Sequence, residues 1–544
     1  MFDCIIVGGG SAGCVLAGRL SQDPALRVAL IEAGPPDSSV LIHCPAGLAV
    51  MAKTGQANWC FETVPQAGLL GRRGYQPRGK VLGGSSSVNA MIYARGHASD
   101  YDDWAARGNP GWAFEDVLPY FKRAEHNERG ADAFHGTGGP LNVADLRSPN
   151  PVLADFFAAA QQAGHPLNPD FNGTQQEGVG AYQVTHRDGE RFSAAKAYLT
   201  PHLGRPNLQV FTDALVTRVL TSRDDGGPLR ADGIEFRGRG GRGPLQALRL
   251  NPGGEVLLSA GAFGSPQLLM LSGIGPAEHL AEHGIAVQRD LPGVGANLHD
   301  HIDAVMVVRA PRLTELFGLS AKGAWHLARG AWQWKRERTG PLTTNFAEAG
   351  GFIKSDPGEP IPDLQLHFVV GQLVDHGRQT VWGHGYSCHV CLLRPRSRGT
   401  LRLASPDPQV APLIDPAFLQ DPDDVARLAR GFQHMRHLLG QSALARHGGR
   451  ETAPSADAQT PEQIEQFLRR HADTIYHPVG TCQMGPGPEA VVDARLRVHG
   501  VAGLRVVDAS VMPRVVGGNT NAPVIMVAEK AVDMIRADHP PRRA

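Results

Sequence analysis

The pattern that most constrains this chain is Gly8-x-Gly10-x-x-Gly13, set between an apolar strand and a helix. Residues Phe2 to Val7 read as a strand, Ala12 to Leu20 as a helix, and Arg27 to Ile31 as a second strand ending at Glu32. Together they make a βαβ unit. Glycines at these spacings let backbone N–H groups approach a pyrophosphate, and the dipoles at the helix N-terminus favour its negative charge. Glu32, placed 24 positions after Gly8, is suited to accept hydrogen bonds from an adenosine ribose. The loop Gly8, Gly10, Ser11, Ala12 and Gly13 thus predicts a bound dinucleotide without separating NAD from FAD.

The rest of the chain must supply more than this unit. At 544 residues and 58.1 kDa it is too long for one compact core. Lys plus Arg (53) equals Asp plus Glu (53), which removes the long-range field a nucleic-acid binder would use and favours a neutral small-molecule partner. The 66 glycines and 41 prolines form no repeat, so an ordered, turn-rich fold is expected, with irregularity only in the tail Arg536 to Ala544. Seven scattered cysteines make no disulfide framework, and the first strand begins almost at Met1, so the expected compartment is cytoplasmic. No apolar run reaches the ~18 residues that cross a membrane.

Strands suited to a parallel sheet recur late in the chain, at Val256 to Leu258 before Ala260-Gly261 and at Leu504 to Val507 before Asp508. Between them lie strand candidates at Leu364 to Val370 and Ser387 to Leu393 and charged helical stretches. The fold class is therefore α/β: a Rossmann-like cofactor domain with a parallel sheet, plus a discontinuous α+β substrate domain with an antiparallel sheet. The expected boundaries are 1–150, 186–310 and 471–540 for the cofactor domain, and 151–185 and 311–470 for the substrate domain.

Gly79-Lys80-Val81-Leu82-Gly83-Gly84-Ser85-Ser86-Ser87-Val88-Asn89 is dense in glycine and serine, like a loop that covers a ligand. It resembles the first signature of the glucose-methanol-choline (GMC) oxidoreductases, and Gly261-Ala262-Phe263-Gly264-Ser265-Pro266 through Ser272-Gly273-Ile274-Gly275 resembles the second. Tyr476-His477-Pro478-Val479-Gly480-Thr481-Cys482 and Gly517-Gly518-Asn519-Thr520-Asn521-Ala522-Pro523 look like the membrane-associated alcohol dehydrogenases of alkane oxidation and polyethylene glycol dehydrogenases, with choline dehydrogenases next. The resemblance spans nearly the whole chain and implies FAD. It places Gly83, Gly84, Ser85, Asn89, Ala90, Met91 and Ile92 over the isoalloxazine and ribityl chain, Asp508 and Ala509 at the ribityl-pyrophosphate region, and Val216 at adenine. Further cofactor contacts are implied at Ala33, Val81, Ala260, Asn519 and Pro523. Some family oxidases carry a flavin-linked histidine where Val88 stands; valine has no nucleophilic atom, so the FAD is expected to be non-covalent.

Oxidising an alcohol requires a base for the hydroxyl proton while a hydride leaves the adjacent carbon, and imidazole titrates near the working pH. Among 23 histidines, the surrounding motif selects His477 as that base. Asn521 matches the family's second active-site position, where an amide donates to the developing alkoxide. The activity implied is oxidation of a primary alcohol to an aldehyde, with electrons passing to a quinone or other carrier. Choline dehydrogenation and oxygen-using alcohol oxidation are the alternatives, beside an NAD-dependent dehydrogenase and a lyase with structural FAD.

Other polar clusters receive plainer readings. Cys388-His389-Val390-Cys391 is expected to pack in a strand, and His299-Asp300-His301 to cap structure; no metal is implied. Glu348, in an otherwise apolar run, suits either a cationic substrate or a hydrogen-bonded structural carboxylate. Leu316 to Arg338 mixes Trp325, Trp332 and Trp334 with Lys322, Arg329, Lys335, Arg336 and Arg338, which fits either a lid or peripheral membrane contact.

Overall fold

The computed structural model describes residues 1–223 and 227–539; the last five residues of the expected irregular tail lie outside the described residues. Before them the chain remains helical through Asp538, in a helix that begins at Asn521.

The βαβ unit forms as strand Phe2–Val7, helix Ser11–Leu20 and strand Val28–Ile31. Both strands are nearly all apolar because both faces of the sheet are covered. The sheet runs Leu208–Phe211, Val28–Ile31, Phe2–Val7 and then the C-terminal half of Leu245–Leu258, all parallel, and Leu504–Val506 pairs with that last strand. The N-terminal half of Leu245–Leu258 leaves this sheet for an antiparallel meander with Leu229–Arg237 and Leu215–Ser222.

The second sheet is antiparallel, ordered Ile302–Arg309, Gly383–Leu392, Leu364–Val369, Ala347–Ile353 and Gly178–Ala181. Helix Pro422–Leu439 covers one face, with Leu428, Phe432 and Met435 buried against it. One boundary expected from sequence moves. Ile302–Arg309, expected in the cofactor domain, pairs along its whole length with Gly383–Leu392, because its alternating inward side chains complete the second core.

Chain ends are joined at the first domain. Glu529, fully buried, accepts from Arg19 at 2.8 Å, Arg123 at 2.9 Å and the Tyr198 hydroxyl at 2.8 Å. Losing both arginines would leave a buried charge unpaired, which costs ~3–5 kcal/mol. This contact packs helix Asn521–Asp538 on helix Ser11–Leu20 and so brings residues 519–521 to the glycine loop.

Candidate active site

A cavity of about 1500 Å³ runs from the glycine loop to the second sheet. One end is lined by Gly8, Gly10, Ser11, Ala12, Glu32, Ala33, Val216 and, bonded to Ser11, Asn521, the middle by Gly84, Ser85, Ala260, Asp508 and Ala509, and the far end by Asn89 to Ile92, His477 and Asn519. The chain thus gathers segments about 500 positions apart, residues 8–12 and 508–521, on one wall.

The loop glycines divide by function. A Cβ on Gly13 would stand 1.9 Å from the Gly8 carbonyl oxygen, and Gly8 itself has φ +101° with the Ser259 carbonyl 2.5 Å from a Cβ position. These two are required for the turn and for close strand–helix packing. Gly10 is different: its nearest neighbour would be 3.9 Å away, and Gly261 faces space empty to 4 Å. Both open on the cavity, so the walls fit a dinucleotide whose phosphates approach bare backbone. The first amides of helix Ser11–Leu20 have no intrahelical acceptor and are available to such an anion.

Four residues expected to contact the cofactor do not line the cavity. Gly13 is turned against Gly8; Val81 is buried with Ile42 and Met51; Gly83 donates its N–H to the Gly9 carbonyl at 2.7 Å; Pro523 is buried in the first turn of its helix. Glu32 receives N–H donation from Gly9 and Gly34, each at 2.8 Å, and burial pushes its carboxyl up to about 7. Asp508 accepts from Gly261 N at 2.9 Å and Ser510 N at 2.8 Å, fixing the starts of two helical turns.

At the far end His477 follows Tyr476, whose φ of +77° is unusual for a bulky side chain. The turn is held from the segment just before strand Ile302–Arg309: Asp300 accepts from His477 N at 2.8 Å and from the Thr474 hydroxyl at 2.5 Å. Nδ1 of His477 lies 3.0 Å from Nδ1 of His301, and its Nε2 lies 3.3 Å from the amide nitrogen of Asn519. Burial, followed by His301, His367 and Arg78, holds the His477 imidazole well below its ordinary range. It is neutral near neutrality and able to accept a proton.

Asn521, expected to meet the alkoxide, is turned elsewhere: its carbonyl oxygen accepts from the Ser11 hydroxyl at 2.7 Å. The amide facing His477 belongs to Asn519, because a helix begins at Asn521 and its first side chains point back over the N-terminus. The Asn519 oxygen accepts from Gln365 at 3.1 Å, which leaves its NH2 toward the base.

Several site residues escaped the sequence reading. His299-Asp300-His301 does more than cap: His299 accepts from Val515 N at 2.9 Å, while Asp300 and His301 hold the His477 turn and ring. His367 and His389, directly opposite one another on neighbouring strands, both line the cavity, and Asp303 pairs with His389. The adjacent polar triplet before a strand was a visible signal; the cross-strand pair depends on register. Cys388 and Cys391 are buried among core residues, as strand packing requires.

Family models described as GMC oxidoreductase match residues 2–303 and 395–528. The chain is 46% identical over 539 residues to an alcohol dehydrogenase [acceptor] of Pseudomonas putida, covering 98% of this chain and 96% of that one. It is also 46% identical over 545 residues to a mitochondrial choline dehydrogenase of Homo sapiens, covering 98% and 90%. Among solved structures, pyridoxine 4-oxidase from Mesorbium loti superposes with a TM-score of 0.86 at 32% identity over 100% of both chains. An FAD-dependent oxidoreductase from Chaetomium thermophilum superposes with a TM-score of 0.89 at 28% identity, over 99% and 100%.

Proposed function

The chain belongs to the GMC oxidoreductase family, and from that premise we propose that it oxidises a neutral primary alcohol to an aldehyde with FAD held non-covalently in the cavity. Bound there, FAD would supply the acceptor for the hydride that leaves the alcohol carbon. The observation that carries the reading is the pairing of a neutral buried imidazole, His477, with the Asn519 amide at 3.3 Å on the cavity wall. An alcohol oxygen docked against both groups, in place of their direct contact, would lose its proton to His477 Nε2 and receive a hydrogen bond from the Asn519 amide. Val88 lines the cavity and offers no atom for a covalent link. The relative named for an unspecified acceptor supports a quinone or other carrier as the destination of the electrons.

Choline is the second reading, favoured by the human relative. It would need a carboxylate together with an aromatic cage near the base, and among the described residues the acidic ones lining the cavity are Glu32, Glu62 and Asp508. Glu32 and Asp508 belong to the cofactor end, and Glu62 is solvent-exposed. Glu348 is turned away: its oxygens accept from the Thr344 hydroxyl at 2.6 Å and from Asn150 N at 2.7 Å. With Phe317, Phe346, Val369 and Ile475 beside His477's end, the cavity suits an uncharged, apolar alcohol.

The test is anaerobic. Purified protein should be yellow, its flavin absorbance should bleach with a medium-chain or aromatic primary alcohol and much less with choline, and His477→Ala should stay yellow without bleaching. Colourless protein, or bleaching that survives in His477→Ala, rejects the proposal.

The cavity mouth suggests where the substrate comes from. Leu327 and Ala331 of helix Ala321–Glu337 line the cavity with Leu319 and Val381, and of the helix's 17 residues only Gly323, Gly330 and Trp334 are buried. Trp325, Trp332 and Trp382 are 68%, 56% and 73% exposed, next to the basic side chains of Lys322, Arg329, Lys335 and Arg336. Aromatic and basic side chains on one exposed helix, with Trp382 from the loop before strand Gly383–Leu392, match an anionic lipid surface. Among the described residues no helix is long and apolar enough to cross a membrane, so the contact proposed is peripheral. Arg338 is excluded from it, being paired with Glu190 at 2.9 Å. Sedimentation with anionic vesicles should be lost when Lys322, Arg329, Lys335 and Arg336 are neutralised together; equal retention of both proteins rejects the contact.

A further inference from the structure

The hydrogen bonds around His477 have a direction, and two backbone carbonyls set it. On one side His301 Nε2 lies 2.9 Å from the carbonyl oxygen of Leu393. A carbonyl only accepts, so His301 Nε2 carries a proton. The His301 ring is buried and its pKa is pushed down to about 3, chiefly by burial and then by Arg394 as a nearby like charge. A neutral ring protonated on Nε2 has a bare Nδ1. The 3.0 Å contact between the two Nδ1 atoms then requires His477 to donate, and His477 Nε2 is left with its lone pair.

On the other side the same conclusion is reached independently. The Tyr182 hydroxyl donates to the carbonyl oxygen of Leu366 at 2.7 Å and accepts from Gln365 Nε2 at 3.2 Å. Gln365 Nε2 also donates to the Asn519 oxygen at 3.1 Å. That fixes which end of the Asn519 amide is NH2, and this NH2 faces His477 Nε2 at 3.3 Å. An amide nitrogen only donates, so Nε2 must accept.

We propose that His301 is a positioning residue which, anchored on the Leu393 carbonyl, holds the proton of His477 on Nδ1 and so presents Nε2 as the base. The inference rests on His477 being the base of the proposed reaction. In that reaction the alcohol proton goes to His477 Nε2, the Nδ1 proton stays in the bond to His301, and the pair shares the positive charge. No exit leads through His301, because its other nitrogen is committed to a carbonyl. The charged and titratable groups facing the pair are His367, Arg78, Arg394 and Asp300; the guanidinium groups oppose protonation of the rings and Asp300, bound to the His477 backbone, does not reach between them.

The test is the tautomer itself. Histidine-labelled holoenzyme should give a ¹⁵N spectrum in which the His477 resonances, assigned by their loss in His477→Ala, report Nδ1 protonated and Nε2 bare. His301→Leu removes the acceptor and should yield a mixture of tautomers, with flavin reduction slowed about 10- to 100-fold. His301→Asn restores an acceptor oxygen near the Nδ1 position and should recover most of the rate without shifting the tautomer from wild type. A wild-type His477 protonated on Nε2 overturns the inference, and so does a His301→Leu enzyme with wild-type rate and tautomer. If His301→Leu does not fold, the wild-type spectrum decides alone. These outcomes are distinct from failure of the underlying reading, in which His477→Ala would still bleach.

Discussion

The amide nitrogen of Asn519 stands 3.3 Å from Nε2 of His477, while Asn521, two residues further on, bonds Ser11 of the glycine loop. Two asparagines in one short motif therefore face different ends of the reaction. Asn519→Ala should slow flavin reduction by about 100-fold, the usual loss for a donor to developing oxyanion charge, with FAD affinity little changed. Asn521→Ala should leave the reduction rate within a few-fold and weaken FAD binding. Stopped-flow absorbance and fluorescence titration of FAD read the two effects; the reverse pattern would return the alkoxide role to Asn521.

The two kinds of loop glycine make a separable prediction. Gly13→Ala drives a methyl into the Gly8 carbonyl and should lower the melting temperature of the apoprotein as well as abolish FAD binding. Gly10→Ala meets nothing within 3.9 Å in the protein, so the apoprotein should melt as wild type while FAD is lost or greatly weakened. Melting curves with and without FAD distinguish them.

The acid dependence of the reductive step follows from the burial of His477. Its pKa lies well below the ordinary 6.5, so the neutral, proton-accepting form persists as pH falls through that value. Flavin reduction by alcohol should be flat from pH 8 to 6 and decline only at lower pH. An acid limb centred at 6.5 or above would show an unburied or charge-paired base.

Stability should also depend on pH through His186, which is buried away from the base. Its pKa is pushed down to about 3, first by burial and then by Arg191 and Arg147. Below about 6.5 the unfolded chain takes up this proton and the folded chain does not, so stability falls with pH by up to ~1.4 kcal/mol per unit for this group. His186→Leu removes that dependence. Between pH 6.5 and 5.5 the variant should gain about 1 kcal/mol relative to wild type in denaturant unfolding; parallel curves would contradict it.

Glu348 separates the two substrate readings. Its carboxylate is raised in pKa by burial and held by Thr344 and Asn150 behind the strand. Glu348→Gln should cost ~1–3 kcal/mol of stability by disturbing that buried pair of hydrogen bonds. The ratio of activity on choline to activity on a neutral alcohol should stay within about twofold. A selective loss of choline turnover would place the carboxylate at the substrate.

The sequence by itself determined the local units: the strand–glycine–helix start, Glu32 at the end of the second strand, and the motif around His477. These are legible because glycine spacing, period-two alternation and a short polar motif act within a few residues. The parallel and antiparallel sheets followed from the same patterning, apart from Ile302–Arg309, whose pairing runs from Leu392 opposite Ile302 to Gly385 opposite Arg309, far along the chain. What only the tertiary structure decided is which polar groups meet. Asn519 rather than Asn521 faces the base because of where a helix starts, and His301 touches His477 across 176 positions because an antiparallel strand carries it there. Which way their protons point depends on two backbone carbonyls, at Leu393 and Leu366, that no side-chain pattern encodes.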